Sequence, residues 1–227
     1  MQADSKARQI MRGVLTLLVF LALMFIPAGR IDWWEGWLFL LFFLISVSGL
    51  ALWMRRSDPA LAAERTNVAE NVEKWDNIII AIYTVMLFIL LILAGLDSGR
   101  MNWSTVPLVI RLLGWLGLVL AGAIVWWSMA SNTFLSERVR IQDDRGHQVV
   151  SSGPYKYVRH PMYVGVILLM MCIPIVLGSW WALIPGAIIA ILFVVRTALE
   201  DRTLISKLPG YPAYCQEVHY RLIPGVW

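Results

Sequence analysis

Between Gly153 and Gly165 the chain reads Gly-Pro-Tyr-Lys-Tyr-Val-Arg-His-Pro-Met-Tyr-Val-Gly, and an apolar run follows at once. Arg159 and His160 put a cation beside a titratable ring. Pro161 suits the first position of a helix, where its missing N–H costs nothing. The unpaired N–H groups of a helix start attract anions. Tyr155 and Tyr163 offer aromatic faces that a cation can approach. Gly165, one turn after Pro161, permits close approach of a ligand or a neighbouring helix. Singly, each residue has a commoner role: a lone His at a helix start caps or packs, and an Arg at a membrane boundary snorkels. Together, at this spacing, they read as a polar ligand pocket at a membrane surface. A second group lies further on. Arg196 and Glu200 stand i,i+4 on one helical face, with Asp201 next to them. As a surface pair they would contribute only a few tenths of a kcal/mol, roughly. At the exit of an apolar run they can instead bind one anionic and one cationic group.

Metal and thiol chemistry are disfavoured. The chain has two Cys, Cys172 and Cys215, with no CxxC, and its three His have no metal-ligand spacing. A disulfide framework or a structural metal is not expected.

The segment before the pocket motif starts Asn132-Thr133-Phe134. It continues Val139-Arg140-Ile141-Gln142, a turn Asp143-Asp144-Arg145-Gly146, then His147-Gln148-Val149-Val150. Alternation on both sides of an Asp/Gly turn predicts a short hairpin or a pair of extended strands. Such a flap would cover the pocket; the alternative is a plain solvated connector. The tail, Leu208-Pro209-Gly210-Tyr211-Pro212-Ala213-Tyr214 and then Arg221-Leu222-Ile223-Pro224, predicts a C-terminus packed back near the interface.

The elements that must hold these residues are membrane helices. Of 227 residues, 59% are hydrophobic and 15% charged, and the mean hydropathy is +0.68. That is too apolar for an ordinary soluble domain. Six apolar runs are near spanning length, approximately 11–29, 37–54, 77–96, 106–130, 161–178 and 180–196. The last two form a tight helical hairpin that need not cross fully. The lengths exclude a β-barrel. Many of the 12 Trp sit at run ends, as in an aromatic belt. Lys and Arg divide 16 against 3 between alternate sides, with Arg30, Arg100 and Arg111 on the poorer side. Both termini, and the pocket, are therefore expected in the cytoplasm. A cleavable signal in the first run would upset that alternation. The expected fold is an all-α, multi-pass integral membrane protein of about six transmembrane helices. Residues 1–130 would supply N-terminal helices. Residues 131–227 would form the pocket from a cytoplasmic loop or hairpin and a C-terminal helix, integrated with the rest. The bilayer is an expected partner and nucleic acid is not, because the cations do not form one face of a soluble domain. Gly114, Gly117, Ala121 and Gly122 form a small-residue strip that suits packing within or between chains, so oligomeric state is open.

Taken together, Gly153-x-Tyr155, Arg159-His160-Pro161-x-Tyr163-x-Gly165 and Arg196-x-x-x-Glu200-Asp201 resemble the isoprenylcysteine carboxyl methyltransferase family and its phospholipid-methyltransferase relatives. The resemblance covers roughly residues 130–227. It implies an enzyme that binds S-adenosylmethionine on the cytoplasmic side and methylates a lipophilic acceptor. It also implies cofactor contacts by Gln142, by His147, Gln148, Val149 and Val150, by Tyr155, by Arg159, His160, Pro161, Met162 and Tyr163, and by Glu200. Arg196 would contact the acceptor, and Arg196 and Glu200 would be the catalytic pair. The acidic cluster after Arg196 is short, which bears on acceptor class more than on cofactor. A prenylcysteine carboxylate, a phospholipid amine and a small thiol are all compatible. Two other classes compete. A sterol-type membrane reductase would need more cations for the phosphates of NADPH. A scaffold or transporter would place charges at mid-membrane, where these runs have almost none.

Overall fold

The computed structural model describes residues 6–66 and 72–227. The described residues are helices joined by turns and loops, with no β-strand. In chain order the helices are α1 Lys6–Ala28, α2 Trp34–Ser57, α3 Pro59–Thr66, α4 Lys74–Ala94, α5 Leu108–Ser131, α6 Pro161–Val176, α7 Leu183–Lys207 and α8 Tyr211–Glu217. A π-helical turn, Gly95–Met101, extends α4.

Four helices are long and apolar enough to cross a membrane: α2 with 24 residues, α4 with its π-turn with 28, α5 with 24 and α7 with 25. The apolar part of α1, Gly13–Ala28, and α6 are shorter. At 1.5 Å per residue, the 16 residues of α6 reach only about 24 Å, against roughly 30 Å for a hydrocarbon core. Of six apolar runs near spanning length, the last two of which need not cross, four lie in helices long and apolar enough to span among the described residues.

The close α5–α6 pair is set by small residues. A Cβ at Gly165 would meet Val125 Cγ2 at 2.7 Å and the Ala121 carbonyl at 3.0 Å, and one at Gly117 would meet the Cys172 sulfur. Gly165 thus serves a neighbouring helix rather than a ligand. Gly114, Gly117 and Ala121 serve packing inside the chain, while a Cβ on Gly122 would meet nothing within 4 Å.

Polar bonds define the two ends of the bundle. At one end buried Asp97 accepts from the Ser104 N–H (2.8 Å), Ser104 Oγ (2.5 Å) and Ser179 Oγ (2.6 Å). Ser179 Oγ also accepts from the Ala182 N–H at 3.1 Å as the chain turns into α7. Arg111 and Glu35 pair at 2.6 Å at the same end. At the other end Asp58 caps α3 through the Leu61 N–H (2.9 Å) and accepts from Thr133 Oγ1 (3.0 Å). Helix α3, residues 72–73, the 132–160 loop and the tail all meet there.

The segment expected as a hairpin keeps its turn and loses its strands. Asp143–Arg145 is a 3-10 turn, with Gly146 at φ +62 and the His147 N–H donating to the Gln142 carbonyl at 3.2 Å. Its flanks bond elsewhere. Val139 exchanges bonds with α4, its N–H to Asp76 Oδ2 (3.0 Å) and its carbonyl from the Glu73 N–H (3.0 Å).

Candidate functional site

A solvent-open cleft of about 780 Å³ lies at the loop-rich end. Its floor comes from the start of α6 (Met162, Tyr163) and the end of α7 (Glu200, Leu204, Leu208). Its roof is the 132–160 loop, and Tyr211 and Tyr214 of α8 close one side. Among residues expected to touch a cofactor, Gln142, His147, Gln148, Val149, Val150, Tyr155, Arg159, His160, Met162, Tyr163 and Glu200 line it. Pro161 does not; it opens α6 behind His160 and is buried. Phe134, Arg138, Leu204 and Leu208, which were not among the expected contacts, line the cleft too.

The roof is held by ion pairs. Arg140 Nε and Nη2 bind Glu64 of α3 at 3.0 and 2.8 Å, and Arg140 Nη1 reaches Asp144 at 2.9 Å. Ser136 Oγ also donates to Glu64 (2.9 Å). The Arg140 hydrogen bond comes first among the causes that hold the Glu64 carboxyl below its ordinary range. Gln142 is buried, and both ends of its amide are engaged: Nε2 donates to the Phe134 carbonyl and Oε1 accepts from Arg145 at 2.5 Å. Its side chain therefore folds the roof. His147 stacks on Phe134, ring centroids 5.1 Å apart. Its Nδ1 lies 3.4 Å from the Gln142 N–H. Burial, then the charges of Arg140 and Arg145, pushes its pKa down. Burial likewise pushes the Tyr155 phenol up, so it stays protonated.

The floor is tied by Asp201, which is fully buried. It accepts from Arg159 Nε and Nη2 (both 2.9 Å), Arg221 Nε (2.8 Å) and Tyr211 Oη (3.0 Å), with His160 Nε2 at 3.3 Å. Arg159 Nη1 donates to the carbonyls of Val218 and His219 at 2.8 and 3.0 Å. The fork expected to meet a ligand carboxylate is spent on the protein's own acid. The start of α6 is partly spent as well: the Tyr163 and Val164 N–H groups lie 3.1 and 3.4 Å from the His160 carbonyl. His160 and Tyr163 stack, centroids 5.7 Å apart and planes 4° from parallel. The Tyr163 hydroxyl donates to Glu200.

Arg196 is corrected more strongly. It does not line the cleft. It is buried and clamps Asp76 of α4 through Nε (2.7 Å) and Nη2 (3.2 Å), and Nη2 also donates to the Glu137 carbonyl at 2.8 Å. Its guanidinium lies 5.2 Å from the Tyr163 ring, so it backs the cleft wall instead of facing a ligand. The expected acceptor contact gives way because fully buried Asp76 takes the Arg196 fork as its counter-charge.

Charge accounting shows what the cleft can hold. Arg140 and Arg159 line it already neutralised by Glu64, Asp144 and Asp201. Arg138 has a neutral partner, Asn77 Oδ1 at 3.1 Å, and Glu200 is in no ion pair among the described residues. One cation and one anion are thus left to a ligand, which suits a zwitterion. No cluster of three or more His, Cys, Asp or Glu fit for a metal occurs among the described residues.

Residues 113–206 match the Isoprenylcysteine carboxyl methyltransferase (ICMT) family. That segment is similar to the family over less than half of the chain. The match runs from α5 through the roof loop and α6 into α7, and ends before α8. The ICMT family is a family of membrane methyltransferases, and the apolar helices here fit a multi-pass membrane protein. An uncharacterized protein of Bacillus subtilis (strain 168), YpbQ, is 31% identical over 96 residues, which cover 40% of this chain and 56% of that protein. The chain thus spans little more than half the length of that relative.

Proposed function

We propose that this protein transfers a methyl group from S-adenosylmethionine to a lipophilic acceptor, most like the carboxylate of a prenylcysteine-type molecule. The observation that carries the cofactor reading is the leftover charge pair in the cleft. The cofactor's amino-acid end bears one carboxylate and one ammonium. Arg138 and Glu200 are the groups to hold them, with Arg138 taking the role that Arg159 cannot. Leu204, Leu208, Val149, Val150 and Met162 supply apolar surface for a nucleobase, and Tyr155 and Tyr163 supply aromatic faces. His147 is neutral at pH 7 and does not repel a cation.

When bound, the cofactor supplies an electrophilic methyl group on a sulfonium. The protein supplies position and charge. Glu200, oriented by Tyr163, puts a negative charge beside the cationic ligand. Arg196 positions Tyr163 from behind. The roof covers the ligand from one side. NADPH fits less well, because two of the three cleft Arg are already neutralised. The active site and both termini are read as cytoplasmic.

The test is equilibrium binding of labelled S-adenosylmethionine to the purified full chain. Glu200→Ala and Tyr163→Ala should weaken binding about tenfold or more, the scale of a lost charged hydrogen bond. Unchanged affinity in both variants would remove the cofactor assignment. Label transfer into lipid and thiol pools would then identify the acceptor.

A further inference from the structure

One buried donor has no role in anything described above. The Nε of Arg65 is buried and has no hydrogen-bond partner. Such groups are rare in native proteins and each asks for a ligand, a water or an ion. The guanidinium is also poorly neutralised. Its one ion pair among the described residues is Nη1 to Glu137 Oε1 at 3.4 Å, and the Glu137 side chain is 63% exposed. Burial outweighs that partner and pushes the Arg65 pKa down.

The position of Arg65 is specific. Leu61 and Arg65 stand i,i+4 on one face of α3. Leu61 is fully buried against Met129, Leu135 and Tyr155, and Leu50, Trp53 and Met54 of α2 with Val125 of α5 extend that apolar seam. Arg65 is near enough to Tyr155 for each to act on the other's charge, and Tyr155 lines the cleft. Arg65 itself is not among the cleft-lining residues, but its partner Glu137 stands between Ser136 and Arg138, which are, and Leu61 one turn before it packs in the same apolar cluster as cleft-lining Tyr155.

We propose that Arg65 is the anion receptor for the acceptor: it takes the carboxylate of an amphiphile whose apolar body lies along the α2–α5 seam. This rests on the methyltransferase reading and assigns the carboxylate to a residue outside the matched segment 113–206. A carboxylate accepts a methyl group without losing a proton, so the site needs a cation that orients it and no base. Arg196 cannot serve, since Asp76 holds its fork.

The test measures binding without cofactor, so that it stands apart from the cofactor assignment. N-acetyl-S-farnesylcysteine, its primary amide and farnesyl phosphate are titrated into the purified full chain in detergent. The carboxylate should bind about tenfold or more tighter than the amide. Arg65→Gln should reduce that preference below about twofold, with melting temperature and S-adenosylmethionine affinity kept. Should Arg65→Gln not fold, Arg65→Lys decides: it keeps the charge but lacks the fork, so the preference should fall partway. A carboxylate preference unchanged in a folded Arg65 variant overturns the proposal. So does a wild-type protein that prefers the phosphate to the carboxylate. Failure of wild-type protein to bind S-adenosylmethionine would instead overturn the methyltransferase reading, and the carboxylate preference would still decide Arg65.

Discussion

Asp76 is fully buried, and Arg196 is its counter-charge. Breaking a buried pair from one side typically costs about 3–5 kcal/mol. Arg196→Ala should therefore lower the thermal unfolding midpoint in detergent markedly; an acceptor-contact role alone would leave that midpoint in place. His147 sets a pH dependence. Unfolded, the ring takes a proton near its ordinary 6.5; folded, burial and the Arg140 and Arg145 charges move that event to lower pH. Between the two values the unfolded chain binds more protons, so this contribution to stability is whole above 6.5 and is lost as pH falls through the window. Cofactor affinity should be flat from about pH 7 upward and decline only at pH below the ordinary histidine range, as the ring charges beside a cationic ligand. His147→Gln should flatten the decline, which binding curves across pH would check. His160 and Tyr163 could be read from the sequence because their motif is continuous. Asp76 could not: an acid at the start of an apolar run looks like an ordinary helix-start residue, and its partner lies 120 positions away. Arg159 was legible as important and misread in role, because nothing local reveals that Asp201 takes its fork.

Helices were legible where length and apolarity coincide, as in α2, α4, α5 and α7. α7 runs to Lys207, past the end of its apolar run at 196 as the i,i+4 placement of Arg196 and Glu200 requires, and the amphiphilic turn that carries Glu200 and Asp201 is held by partners outside the helix. α3 was hidden in what reads as a polar loop; its start depends on Asp58 and its seat on Leu61. The hairpin failed because side chains of other elements supply the bonds that a cross-strand ladder would have made. Two outcomes follow at this scale. Gly165→Ala should cost about 1–3 kcal/mol, since α5 leaves no room for the Cβ. Its unfolding midpoint should fall, while Gly122→Ala, facing open space in a helix interior, should keep or slightly raise it. Glu64→Gln should loosen the roof by unpairing Arg140 from α3. Limited proteolysis near residues 143–146 should quicken more than cleavage elsewhere.

The helices bring the basic loops to one end of the bundle and leave Arg30, Arg100 and Arg111 to the other. Placing that basic end in the cytoplasm predicts that a cysteine introduced near either terminus reacts with a membrane-impermeant reagent only after the membrane is opened. Labelling of intact cells from outside would put the cleft on the wrong side for a cytosolic methyl donor. The order of synthesis adds a consequence of the Asp201 knot. Every spanning helix is made before Arg221, and the Arg159 and His160 N–H groups wait for the carbonyls of Tyr220 and Arg221. A ribosome stalled between residues 202 and 218 would leave a chain inserted in the bilayer with Asp201 and Arg159 short of their outer partners. Insertion and competence are thus separate events, and the second is timed by the synthesis of residues 218–221.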